Sequence, residues 1–67
     1  MDRIVERIRT RRRELGLTQA ELADLAECSA RFVRSLEAGK ATVRVDKLLA
    51  VANVLGLELR LEVRRAG

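Results

Sequence analysis

The 67-residue chain has no proline, histidine, tryptophan or tyrosine, and only one cysteine and one phenylalanine. Each absence removes a class of explanation. A single cysteine, Cys28, rules out an internal disulfide, and without histidine a structural zinc site lacks ligands. Cys28 also has no histidine to activate it, and there is no glycine-rich phosphate loop. Catalysis is therefore expected to be absent, and no cofactor is expected; Cys28 reads as a buried packing residue. Lack of proline leaves no stiff linker, and neither a repeat nor a low-complexity segment is visible. No apolar run is long enough to span a bilayer, and no secretory signal is visible. The expected location is the cytoplasm, where a lone thiol stays reduced. The length has room for one domain and no second, ligand-sensing one. A chain this short buries a small core, and with disulfide and metal excluded, oligomerisation is the remaining support.

Positive charge and helical punctuation are what the sequence does have. The formal charge is +4, with 12 arginines against 2 lysines. Arginine suits bidentate contact with phosphates and guanine edges, so a nucleic acid or an anionic surface is the expected partner class. Along the chain, Asp2 to Leu15 reads as a first helix, with Ile4, Val5, Ile8 and Leu15 on one face and Gly16 as its stop. Thr18 to Glu27 reads as a second. Thr18 with Glu21 forms a capping box, and Leu22, Leu25 and Ala26 point inward. Ser29 to Ala38 reads as a third, capped by Ser29 and closed by Gly39. Val45 to Leu55 reads as a fourth, with Val45, Leu48, Leu49, Ala52 and Leu55 on one stripe and Gly56 at its end. Its start is weakly signalled, because Arg44 is a poor cap.

After Gly56 the period changes to two. Leu57, Leu59, Leu61 and Val63 alternate with Glu58, Arg60, Glu62 and Arg64, the pattern of a half-buried strand. A solitary strand leaves an open edge, and the same strand of a second copy is the simplest partner. The alternatives are a continued helix or a frayed tail. The chain thus divides into a helical domain at 1–56 and a strand and tail for dimerisation at 57–67.

On a wheel of about 100° per residue, Phe32, Val33 and Leu36 of the third helix fall on one side. Ala30, Arg31, Arg34, Ser35 and Ala38 fall on the other, where small residues allow close approach and arginines reach bases or phosphates. An ordinary solvated face is the bland alternative. Thr18, Gln19 and Ser29, at helix starts, and Lys40 and Arg44, in the loop after the third helix, are candidate phosphate contacts. Arg12 lies inside the apolar stripe of the first helix. A buried arginine needs an acid, for which Glu37 is the candidate, unless Arg12 snorkels to solvent. Arg11 and Arg13 are expected to face solvent or DNA flanks, and the other N-terminal arginines to form a solvated face.

The run Thr18 to Lys40 resembles the helix-turn-helix of the phage-repressor (Xre/Cro) superfamily without gaps, and Leu15-Gly16-Leu17 and the stretch 48–56 fit its flanks. The segment 57–63 is similar to the terminal strand of HipB-like antitoxins. In one departure, Glu27 stands where the turn commonly has glycine, so either Glu27 takes a strained positive φ or the turn is built differently. The resemblance implies an all-α, phage-repressor-like helix-turn-helix domain of four helices, with one C-terminal β-strand pairing in a dimer. It implies base reading at Ala30, Arg31 and Ser35, a backbone grip at Gln19, and the Arg12–Glu37 pair. It further implies a repressor of an inverted-repeat operator, autoregulating a toxin–antitoxin operon, with a HipA-like kinase toxin as protein partner. A stand-alone phage or plasmid type repressor, or an interaction subunit that does not bind DNA, remain the alternatives.

Overall fold

The computed structural model describes residues 2–40, 44–60 and 63. Four helices follow one another: α1 (Asp2–Glu14), α2 (Gln19–Leu25), α3 (Ala30–Glu37) and α4 (Val45–Val54). Two of them start where side chains satisfy free backbone N–H groups. Thr18 Oγ1 accepts from Glu21 N at 3.0 Å, while Glu21 Oε1 accepts from Thr18 N at 2.8 Å. Ser29 Oγ accepts from Phe32 N at 3.0 Å. Thr18 and Ser29 therefore stand just outside α2 and α3 as caps rather than within them. Arg44 precedes α4 with no side-chain capping bond.

All four helices end in the same way. The residue after the C-cap turns left-handed, and two N–H groups bond back to the last carbonyls, which is the Schellman motif. Gly16, Gly39 and Gly56 adopt φ of +69°, +73° and +71° at three of these ends. At the end of α2 that place belongs to Glu27, with φ +56°. Its N–H reaches Asp24 O at 3.2 Å, and Cys28 N reaches Ala23 O at 2.9 Å. The turn of this helix-turn-helix is thus the ordinary one, adopted by a residue with a Cβ, and α2 ends at Leu25.

Ile8, Leu22, Ala23, Ala26, Val33, Leu36, Leu48, Val51 and Leu55 form the core. Several residues of the expected stripes are not in it. Leu25 is 59% exposed. The buried side of α2 is centred on Leu22, Ala23 and Ala26, and at about 100° per residue Leu25 lies about 110° from that centre. Val45 and Leu49 of α4 are also exposed, whereas Val51 is fully buried. The side of α4 that meets the core runs through Leu48, Val51, Ala52 and Leu55, leaving Val45 and Leu49 on its shoulder. Leu15 is exposed because it occupies the turn closing α1, where the chain leaves the helical path. Cys28 is half-buried against the core, and burial pushes its thiol pKa up, opposed by the Lys47 charge.

Arginines of α1 tie the bundle together. Arg9 donates to Glu37 O at the end of α3. Arg11 Nε donates to Leu55 O at 2.9 Å at the end of α4, and Arg12 Nη1 to Leu17 O at 2.7 Å. A cation at the negative end of a helix is favourable. Arg9 and Arg11 therefore do more than form a solvated face: they join α1 to the C-terminal ends of α3 and α4. Arg13 is exposed. Beyond Gly56, Leu57 packs half-buried on the core, and Glu58, Leu59 and Arg60 are exposed. No strand forms among the described residues. Leu61 lies outside the described residues, and Val63 is exposed.

Candidate nucleic-acid interface

α3 separates sharply into two sides. Val33 and Leu36 are fully buried, and Phe32 packs half-buried against the core. Arg31, Arg34 and Ala38 are exposed, and Ala30 and Ser35 are half-buried. Arg31 and Arg34 make no ion pair among the described residues, so both cations face solvent without a protein partner. A helix with this face outward, entered through a tight turn from a short capped helix, can lie in a major groove with its first residues at base edges.

The inner end of α3 is held by a charge node. Glu37 is only 4% exposed and receives Arg12 through two bonds, Nε to Oε2 at 2.6 Å and Nη2 to Oε1 at 3.0 Å. Arg12 is itself 12% exposed, so the pair is desolvated rather than snorkelling. Gln19 Nε2 donates to Glu37 Oε1 at 3.2 Å, and Arg9 Nε lies 3.9 Å from the same oxygen. Burial alone pushes the Glu37 carboxyl up. The hydrogen bonds from Arg12 and Gln19 and the charges of Arg12 and Arg9 outweigh it and hold the carboxyl below the usual range. The hydrogen bond to Glu37 likewise raises the Arg12 guanidinium, against the effect of burial. Every buried side-chain polar atom among the described residues has a partner. The node thus joins α1, the start of α2 and the end of α3, and it fixes the angle at which α3 is presented. Arg9 was legible only as part of a basic helix; its signal is the i, i+3 spacing to Arg12, which places both on one face.

Of the candidate phosphate contacts, Thr18 and Ser29 use their hydroxyls as caps, which leaves the other helix-start N–H groups free for an anion. Gln19 is half-buried, with one amide hydrogen committed to Glu37. Lys40 is exposed and unpaired among the described residues. Arg44 is exposed but paired with Asp46, Nη2 to Oδ2 at 3.0 Å and Nε to Oδ1 at 3.2 Å.

Comparison with known proteins defines the class. A family model described as Helix-turn-helix matches residues 8–61, most of the chain. The chain therefore belongs to the Xre/Cro-type helix-turn-helix family: it is a DNA-binding transcriptional regulator and not an enzyme. The HTH-type transcriptional regulator y4mF of Sinorhizobium fredii (strain NBRC 101917 / NGR234), itself described as uncharacterized, is 42% identical over 52 residues. The match covers 78% of this chain and 68% of that protein. Among the described residues, no helix is long and apolar enough to cross a membrane, and no group of acidic or cysteine side chains is arranged to hold a metal ion.

Proposed function

We propose that this regulator is a repressor that binds an inverted-repeat operator as a homodimer, and that it is the antitoxin of a toxin–antitoxin operon whose promoter it represses. The observation that carries the DNA-reading part is the unpaired cationic outer face of α3 set above a fully buried inner face. Ala30, Arg31, Arg34 and Ser35 read base edges. Thr18, Gln19, Ser29 and Lys40 grip phosphates, and Arg44 joins them by exchanging Asp46 for the DNA backbone. The Arg12–Glu37 pair is structural and keeps α3 at its angle. The dimer forms through 57–63, with Leu57, Leu59, Leu61 and Val63 on the inner face of a two-stranded ribbon. What supports this is the open backbone of Glu58, Leu59 and Arg60, which makes no backbone hydrogen bond among the described residues. The antitoxin role and the HipA-like kinase partner in the cytoplasm rest on the resemblance of 57–63 to the terminal strand of HipB-like proteins.

A labelled duplex from the region upstream of the reading frame tests the DNA reading. Replacing Arg31 or Arg34 by Ala should cost roughly 1–3 kcal/mol where the residue makes a bidentate base contact, and relax specificity at one position. Gln19→Ala should weaken all sequences together. Unchanged affinity in the Arg31→Ala, Arg34→Ala double variant would show that another surface reads DNA. Co-purification with the product of the neighbouring gene tests the toxin partner.

A further inference from the structure

We infer that Lys47, at the start of α4, is a phosphate-contacting residue that anchors one flank of the reading helix. The inference rests on the proposal that α3 reads DNA and on where the cations of this protein find their counter-charges. Arg9 and Arg12 share Glu37, Arg11 pairs with Glu14, Arg44 with Asp46, and Arg60 with Glu58. Within α3, the segment after it and α4, the cations with no ion pair among the described residues are Arg31, Arg34, Lys40 and Lys47; Arg3, Arg7 and Arg13 of α1 are unpaired as well. The first two lie on the outer face of α3, and Lys40 follows its end. Lys47 comes from a different helix, yet its ammonium stands 5.7 Å from the centroid of the Phe32 ring.

That position is specific. Phe32 is in the first turn of α3, and its N–H bonds to the Ser29 cap. Cys28, immediately before the cap, feels the Lys47 charge, which opposes the rise in its pKa caused by burial. The Phe32 ring thus places the ammonium beside the first turn of α3. An aromatic face attracts a cation without neutralising it, so the ring holds Lys47 in place and leaves its charge free. When the first residues of a helix meet base edges in a major groove, the bordering phosphates pass beside that first turn. Lysine is a compact point charge suited to a single phosphate. Arg44, three residues earlier, is the less effective cation here, because Asp46 already shares its charge.

Salt dependence separates a phosphate contact from a packing role. Each phosphate neutralised adds about 0.9 to the slope of log K against log salt. With the labelled upstream duplex, Lys47→Gln should lower the slope by about 0.9 for each subunit bound. Affinity should fall about 8-fold per subunit at 0.1 M salt and only about 3-fold at 0.3 M. Lys47→Arg should restore the slope. Circular dichroism of each variant reports that the fold is kept. A folded Lys47→Gln protein with the wild-type slope would overturn the inference, as would a loss of affinity of equal size at both salt concentrations. If the Arg31→Ala, Arg34→Ala variant also bound as tightly as wild type, the failure would belong to the reading face rather than to Lys47.

Discussion

Replacing Glu27 by Gly should stabilise this protein, although it removes a side chain and adds no contact. Glu27 sits at φ +56° in the left-handed end of α2, where the other three helices have glycine. An L-residue held there costs roughly 1–2 kcal/mol. Glycine removes that cost but gains freedom in the unfolded chain, which offsets about 0.4–1 kcal/mol. Glu27 makes no ion pair among the described residues, so no lost contact enters the balance. The net gain is about 0.5–1 kcal/mol, and for a domain of this size it should appear as a rise in Tm of about 2–8 °C. The reverse change is a built-in control. At Gly39, with φ +73°, an added Cβ meets nothing within 4 Å, so Gly39→Ala is penalised through the backbone alone. It should lower Tm by a comparable amount. Both melts, followed by circular dichroism, need one fixed protomer concentration, because association shifts apparent stability. An unchanged or lower Tm for Glu27→Gly, beside a clear loss for Gly39→Ala, would refute the left-handed turn at Glu27.

Glu37→Ala should be far more damaging, because it leaves Arg12 buried without its counter-ion. Removing one partner of such a pair costs about 3–5 kcal/mol, a large share of a small domain's stability, and urea denaturation measures it. Since the folded carboxyl of Glu37 is held below its ordinary range, its stabilisation is fully present above the unfolded pKa. It is lost as pH falls through the lower folded value, so acid unfolding should be shallower in Glu37→Gln than in wild type. Deleting the chain after Gly56 should yield monomers with much weaker operator binding; a tightly binding dimer of the truncated chain, seen by light scattering, would place the dimer contact elsewhere. If two copies pair antiparallel through 57–63 with Leu61 at the centre, as proposed, Arg60 would face Glu62 of the second copy and Glu58 its Arg64. Charge reversal at Glu62 should therefore weaken the dimer, and joint reversal at Arg60 should restore it.

Much of the fold was legible in local chemistry. The Thr18–Glu21 box, the Ser29 cap and the glycines at 16, 39 and 56 mark helix ends because they act on backbone groups within a few residues. The two sides of α3 were legible for a related reason: the wheel separates Phe32, Val33 and Leu36 cleanly from the arginines. The strand expected at 57–63 is a different kind of case, since its backbone partners would belong to a second copy, and Leu61 and Glu62 lie outside the described residues.

Tertiary structure decided which apolar residues count as core and which arginines are free. Leu25, Leu49 and Val45 look like core in any hydrophobic pattern, yet they lie on shoulders that no neighbouring helix covers, while Val51 is fully buried. Periodicity shows which residues share a face, but the packing partner determines how wide that face is. Arg9, Arg11, Arg12 and Arg13 form one basic run in sequence. In space, Arg9 and Arg12 converge on Glu37, Arg11 closes α4 and Arg13 remains in solvent. The sequence by itself determined where the helices begin and end, because caps and turns act between near neighbours. It could not decide which charges stay available for DNA, because a counter-charge acts across space, and only the packing of four helices brings it within reach.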